Sequence, residues 1–513
     1  GGILFSMKRF QEARDCYQTG LVKVPNIEFN KLLVYNPREY DYVPLMNLAK
    51  TYINLSTPQL AIECIKACLK IIPQNKYLQE IVRMLEKESK KAEGAVNWLA
   101  KLRKTKGEKN FLKEYAKIPV GIRSHPMIVV ERNTRVIKKE SSGKDLVIYC
   151  GFTEELWNPE TARVKGIGGS EEAVIHLSKG LVKRGWNVTV YNHCGYKEQV
   201  FDGVHYLPYW TWNYRDKQDV VILWRNPKII QDVVINTDKL FLDLHDVVDE
   251  AELINRYEKL DRIFVKSKAQ RELFPNVPQD KFTIIPNGVD CTLFNEKVER
   301  DPYLLVNFSS PDRSLEACIE VLEKVKGRVS KKIADKIRFA WYYGWGVFDM
   351  VITDSQGQEW KQSVIKRFEQ MKKEGWAEGG TRINHQEVAH LNLMAGALIY
   401  PTNFYEIDYI GGSKAQIAGC VPITTDFAAL DEKIQWGIKI KASKTRKNWQ
   451  DVKFSFGLHD KKQQDKFVDS LVSYLKAPEK WDEERATMSK WARSEFNWDR
   501  IVGLWDDVLQ GRS

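Results

Sequence analysis

The sequence lacks the features that would tie it to a membrane or to an oxidising compartment. No window approaches the ~18 consecutive apolar residues of a membrane span. The N-terminus also lacks the charged-then-apolar order of a secretory signal. The eight cysteines include no CxxC pair, so reduced thiols in a cytoplasmic compartment are expected. Cys64 and Cys68 share a helix face, where core packing is a better account than metal binding. No methionine opens the chain and its first helix starts partway through a pattern, so a piece of a longer protein is expected.

What is present describes a soluble globular chain. Hydrophobic residues make up 43% and charged residues 29% of 513 positions, and that length suggests about three domains of about 150 residues each. The net charge of +11 suits an approach to nucleic acid, an anionic membrane surface or phosphorylated small molecules. Because the excess is spread along the chain, it ranks these partners poorly, and a solvated basic surface accounts for it as well.

Residues 1–118 read as helical. Phe10, Ala13, Tyr17, Leu21 and Pro25 fall at three- and four-residue steps, one helix face closed by a proline. Leu48, Ala49 and Tyr52 mark another helix, and Ala61, Ile65, Leu69 and Pro73 repeat the spacing of Ala13, Tyr17, Leu21 and Pro25. The pattern resembles tetratricopeptide repeats, in which paired helices bury their stripes on neighbouring pairs. The spacing requires an insertion around Asn26 to Pro44, and a break is expected at Gly94. Such a region serves as a peptide-binding groove, or as a spacer or docking platform. Residues 119–144, with Pro119, Gly121, Pro126 and KKESSGK, read as a linker.

From residue 145 the rhythm changes to short apolar strands alternating with helices. DLVIYCG (Asp145 to Gly151) reads as a parallel strand. The segment KGIGGSEEAVIHLSKGLVKRGWNVTVY follows, where Gly166, Gly168 and Gly169 let the backbone approach a ligand and Ser170 starts a helix. A glycine turn here is where phosphates or an acceptor hydroxyl sit in a doubly wound sheet. Its spacing is not that of the dinucleotide GxGxxG. DVVILW, KLFLDL and RIFVK continue the pattern, and His245 and Asp246 stand just past KLFLDL, at the carboxyl edge where open sheets bind ligands. Pro286-Asn287-Gly288 makes a tight turn before a second set of strands begins at Tyr303.

That second set leads to YPTNFYEIDYIGGSKAQIAGCVPITT, Tyr400 to Thr425. A buried strand ends at Tyr400, a loop carries Glu406, and Gly411 and Gly412 lead into a helix expected to begin near Ser413 and end at Gly419. Its unpaired amides and aligned dipoles would attract an anion.

The order GIGGSEEA, LHD, VKSKAQRELF, IIPNGVD and YPTNFYEIDYIGGSKAQIAGCVPITT is similar to the family-4 retaining glycosyltransferases of the GT-B fold, over roughly residues 145–513. The resemblance implies two Rossmann-like α/β domains facing a cleft behind the all-α TPR-like domain. These are an acceptor domain at 145–297, a nucleotide-sugar donor domain at 298–484, and a C-terminal helix in 485–513 that returns to the first. It also implies transfer of a hexosyl or pentosyl group from a nucleotide-sugar with retention, without cofactor or obligatory metal. The absence of any DxD triplet agrees with that. Carried over by motif, Glu406 and His245 are the catalytic candidates. Gly168, Gly169, Arg313, Gly411, Gly412 and Thr425 are donor-binding candidates, with Glu432 close behind. Lys414 stands where the family has its second glutamate, so it either contacts phosphate or signals a different nucleotide geometry. Phe308 and Ser309 stand where the family has a basic residue. The implied acceptor is a glycan, lipid or protein, and a modified DNA base ranks below these because no aromatic-interleaved basic stripe marks a nucleic-acid groove. The competing reading is a non-catalytic module that kept the cleft, its helical region serving a protein partner or an upstream catalytic domain.

Overall fold

The computed structural model describes residues 2–6, 10–22, 42–54, 58–106, 114–115, 117–118, 120–123, 125, 127–128, 142–153, 155–195, 198–232, 234–442, 457–458 and 460–512. The chain divides into two compact units, one of Gly1–Glu140 with Gly195–Glu198 and Trp210–Lys217, and one of Ser141–Cys194, Gln199–Tyr209 and Gln218–Ser513. Among the described residues, no helix is long and apolar enough to cross a membrane.

The described part of residues 1–140 in the first unit is mainly helical. α1 (Phe10–Val22), α2 (Tyr42–Asn54), α3 (Pro58–Ile71) and α4 (Lys76–Lys106) follow one another. Leu48, Tyr52 and Ala61 are buried together with Tyr17 packed on them, and Ile65, Cys68 and Val82 form a second cluster with Cys64 at its rim. The break expected at Gly94 does not occur, because α4 runs through it. A mid-helix glycine costs about 1 kcal/mol relative to alanine. Leu99, buried on the same helix with Ala92, Ile118 and Ile128, returns about 1.5–3 kcal/mol. Most of the insertion expected after Asn26, and most of the linker expected at 119–144, lies outside the described residues. Of the parts inside, Tyr42 to Pro44 already belong to α2, and Val120–Arg123 forms a helical turn.

The second unit holds two sheets. In the first, β1 (Asp145–Tyr149), β2 (Asn187–Asn192), β3 (Gln199–Phe201), β4 (Val204–Pro208), β5 (Gln218–Trp224), β6 (Thr237–Asp243), β7 (Arg262–Val265) and β8 (Phe282–Ile284) lie in the order 3-4-2-1-5-6-7-8. All neighbours are parallel except β3 and β4. The second sheet has β9 (Asp301–Asn307), β10 (Arg338–Trp341), β11 (Ala377–Gly379), β12 (Ala395–Tyr400), β13 (Val421–Thr425) and β14 (Ile438–Ile440). It is wholly parallel, in the order 11-10-9-12-13-14. Runs such as VVILW and AGALIY are buried along nearly their whole length, as strands covered by helices on both faces must be.

The last helix, Trp498–Gln510, packs on the first sheet. Its Ile501, Val502, Trp505, Val508 and Leu509 join the core built on Leu146, Ile148 and Val190, and Trp505 lies 3.8 Å from the Phe264 ring. The helix Gly169–Lys183 meets it at Gly180, where a Cβ would sit 2.5 Å from a Val502 methyl. Gly180→Leu is therefore expected to lower stability by about 1–3 kcal/mol through overpacking, read as a lower urea midpoint.

Candidate functional site

Each sheet reverses its winding once, and charged side chains gather at both places. In open parallel sheets the crevice beyond the carboxyl ends at such a reversal is where ligands bind. It lies between β1 and β5 in the first sheet and between β9 and β12 in the second.

In the second sheet, β9 ends at Asn307, whose amide donates to the Ile399 carbonyl at 2.8 Å and the Ser314 hydroxyl at 3.0 Å. This ties β9 and β12 to the helix Pro311–Lys326, which carries Arg313 in its first turn. Thr425, fully buried at the end of β13, donates its hydroxyl to the Thr402 carbonyl at 2.7 Å. Thr402 in turn donates to the Arg313 carbonyl at 2.7 Å. Thr425 therefore supports the loop from beneath.

Glu406, 5% exposed, accepts from Arg313 Nη1 at 3.0 Å and from the Tyr400 hydroxyl at 2.5 Å. Arg313 also lies 4.1 Å over the Phe404 ring, with its side chain 36% exposed. Burial works against the Arg313 charge, but Glu406 outweighs it and raises its pKa above the ordinary value. Burial, with Glu406 adding to it, pushes the Tyr400 hydroxyl well up, so it donates as a neutral phenol.

The next helix starts at Ile410, three residues before the expected Ser413, and ends at Gly419 with φ 73° as expected. Tyr409 takes the left-handed conformation (φ 61°) just before it and stacks on Tyr400 at 4.3 Å. A non-glycine residue held there costs about 1–3 kcal/mol. A Cβ on Gly412 would meet Tyr409 at 2.6 Å and Ile434 at 2.5 Å. Gly412 thus lets the ring lie beneath the helix start, with Gly411 beside it.

In the first sheet the glycine turn precedes a helix that begins at Gly169, one residue before the expected Ser170. Glu171 in its first turn accepts from Arg225 Nη1 at 3.0 Å. Arg225 follows β5 with φ 68°, covers the Trp224 ring at 4.6 Å, and grips both Asp246 oxygens at 2.6 and 2.8 Å. Burial would raise the Asp246 carboxyl, but Arg225 holds it below the ordinary value, with Arg313 of the other lobe among the cations acting on it.

His245 is buried beside them. Its Nε2 lies 2.7 Å from Asp243, whose other oxygen takes Lys266 Nζ. Burial draws the imidazole below its ordinary pKa against the pull of Asp243. In the neutral ring Nε2–H donates to the carboxylate, which leaves Nδ1 as the acceptor.

The lobes meet closely at the glycine turn. Gly166 has φ 68°, and a Cβ on it would lie 2.7 Å from the Ile383 carbonyl; one on Gly169 would lie 2.9 Å from Ile410. A Cβ on Gly168 would meet the Glu171 carboxylate. Lys414, 7% exposed, reaches across to Glu172 at 2.9 Å and contacts His385 Nδ1 at 3.1 Å. Glu432 crosses too, accepting from the amides of Lys268 at 3.0 Å and Ala269 at 2.9 Å. Of the sequence candidates, Glu406, Arg313, Gly411 and Gly412 come together at one switch point, and Gly168, Gly169 and His245 gather near the other. Lys414 and Glu432 join the lobes.

Arg225, Glu172, His385 and Tyr400 were not among the candidates. Arg225 could have been found, since it directly follows the strand DVVILW. The partnership of Glu172 with Lys414 spans 242 positions and leaves no local signal.

The buried cluster is acid-sensitive. Burial, then Lys414, presses the His385 imidazole down to about 4. Burial alone would raise the Glu172 carboxyl, but Lys414 and His385 hold it at about 2. Below pH 6.5 the unfolded chain takes up a His385 proton that the folded chain refuses until about pH 4, so stability falls as pH drops through that window. The contribution is about 3 kcal/mol at 1.36 kcal/mol per unit. Glu172 adds to the loss between its unfolded value of 4.5 and about 2. A thermal midpoint distinctly lower at pH 5 than at pH 7 is expected.

Solved structures share this architecture. Sucrose-phosphate synthase from Thermosynechococcus elongatus matches over 72% of this chain and 98% of its own, with a TM-score of 0.52 at 11% identity. The second unit has the GT-B fold. HepE of Anabaena in complex with UDP-glucose matches over 72% and 99%, with a TM-score of 0.49 at 11% identity. The catalytic domain of starch synthase IV from Arabidopsis thaliana, bound to ADP and acarbose, matches over 72% and 99%, with a TM-score of 0.48 at 12% identity. No family model and no curated protein matches the sequence.

Proposed function

We propose that this protein is a glycosyltransferase that moves a sugar from a nucleotide-sugar donor, with retention at the anomeric carbon, to a glycan, lipid or protein acceptor. The observation that carries the reading is the set Arg313, Glu406 and Tyr400 at the second switch point, with Arg225 and Asp246 paired at the first. In such a reaction the leaving diphosphate gains negative charge as the glycosidic bond opens. A cation and helix amides already fixed in place stabilise that charge without reorganising. Arg313 supplies the cation, and the helix beginning at Ile410 supplies the amides. Glu406, its orientation set by Tyr400 and Arg313, would accept from the hydroxyls of the transferred sugar, and His245 would attend the same sugar from the opposite lobe. These side chains need no metal for the roles given them.

Lys414 would act on the donor indirectly, by holding the lobes at the spacing the ligand requires. The helical unit would be a tetratricopeptide-like docking platform, and the reaction would take place in the cytoplasm. A thermal-shift screen of UDP-, GDP- and ADP-sugars tests the reading, since a bound ligand stabilises by RT ln(1 + [L]/Kd), about 2.7 kcal/mol at a hundredfold excess over Kd. A midpoint raised by one class of donor supports it, and no shift with any donor contradicts it. Donor binding without turnover would favour the non-catalytic module, for which the lysine at position 414 is the specific argument.

A further inference from the structure

We propose that Phe152, His193 and Tyr209 form an aromatic platform for the acceptor, and that the acceptor is a carbohydrate. The inference rests on the glycosyltransferase reading for the word acceptor, but the platform itself rests on separate observations. The three residues come from three segments, just past β1, β2 and β4, which are neighbours in the sheet order 4-2-1. Phe152 stacks on His193 at 4.9 Å and 23°, and Tyr209 stands edge-on to both, at 5.9 Å from Phe152 and 6.5 Å from His193. All three residues are partly exposed. None belongs to the hydrophobic core of that sheet, whose aromatics include Trp157, Trp186, Tyr206, Trp224 and Phe264.

Position links the platform to the chemistry. The carboxyl edge runs from His245 and Asp246 past β6, through Arg225 past β5, to Phe152 past β1, then to His193 and Tyr209. Strands are ~4.8 Å apart, so the β1 end lies about 10 Å from the β6 end. A molecule lying along that edge can be gripped by the rings while one of its hydroxyls reaches the crevice.

The class of ligand follows from the groups present. The C–H face of a pyranose is weakly positive and suits the negative face of an aromatic ring, while its hydroxyls need acceptors at the rim. His193 Nδ1 lies 2.7 Å from the Thr153 carbonyl. A carbonyl can only accept, so Nδ1 carries the proton in the neutral ring and Nε2 offers a lone pair. The nearby polar pair, the Asn158 and Gln199 amides at 2.8 Å, is uncharged, and the Glu155 carboxylate is matched by Arg382 at 2.8 Å. A nucleic acid would ask instead for cations along its phosphates.

The test uses the full chain and saturation-transfer NMR with a panel of neutral di- to tetrasaccharides, among them cellobiose, maltotriose and chitobiose. Undecaprenyl phosphate in micelles and oligothymidylate are run beside them. The expected result is binding of at least one saccharide, weakened tenfold or more by Phe152→Leu and by His193→Ala, with urea midpoints and nucleotide-sugar thermal shifts unchanged. Equal saccharide binding by the variants, binding of no saccharide, or binding of the lipid or oligonucleotide alone overturns the proposal. Donor and saccharide are measured separately, so loss of the donor reading shows as absent thermal shifts with saccharide binding intact. Loss of the platform shows as the reverse.

Discussion

In the Arg313→Ala protein, kcat for release of nucleoside diphosphate from the donor falls by roughly 10²–10³-fold, the usual cost of removing one preorganised group aimed at developing charge. Two effects act in the same direction. The variant removes the cation at the departing diphosphate, and it removes one of the two donors that hold Glu406 Oε1, leaving only the Tyr400 hydroxyl there. Arg313→Lys separates them, because it keeps the charge and loses the planar fork that reaches Glu406 while lying over Phe404. An intermediate rate is expected, and donor affinity should move less than kcat in both variants. Rates within threefold of wild type for Arg313→Ala would remove Arg313 from the chemistry.

The second large effect concerns the join between the lobes. Lys414 and Glu172 are both buried, with side chains 9% exposed. Such a pair adds little net stability over an apolar pair of the same shape, but removing one partner leaves the other charge uncompensated, at about 3–5 kcal/mol. Lys414→Met is thus expected to lower the urea midpoint sharply and to weaken donor binding, because the two lobes lose their fixed spacing. Adding Glu172→Gln should restore much of the midpoint, since the stranded carboxylate is gone. A single variant as stable as wild type, or a double variant no better than the single, would mean that the pair does not bridge the lobes as described.

The sequence showed some of these features clearly and others not at all, and the difference is physical. β12, the loop carrying Glu406, the helix ending at Gly419 and β13 were all legible, because a buried parallel strand is an unbroken apolar run and a left-handed glycine closes a helix locally. The helix start was misplaced by three residues because Tyr409 adopts the left-handed conformation, which tyrosine gives no reason to expect. β3 and β4 were not read, although Asp202-Gly203 between them, with φ 52° and 81°, is a two-residue hairpin signal; β3 itself is only three residues long. Gly94 does not break its helix, because burial of Ala92 and Leu99 on either side decides it. The role of Lys414 could not be read from its position, because its partner carboxylate lies on another lobe. Glu432 likewise stands where a ligand-facing carboxylate was expected, and instead caps the amides of Lys268 and Ala269 across the join.

The central claim is that the crevice between the two switch points opens the bond between a sugar and a nucleoside diphosphate. The most direct measurement follows nucleotide-sugars by phosphorus and proton NMR with the purified protein and with its Glu406→Gln variant, in the presence of a saccharide mixture. The account predicts that at least one donor is converted to free nucleoside diphosphate and a sugar product of the donor's own anomeric configuration, and that the variant is slower by roughly 10²-fold or more. Inversion of that configuration, or equal rates for the two proteins, would contradict it.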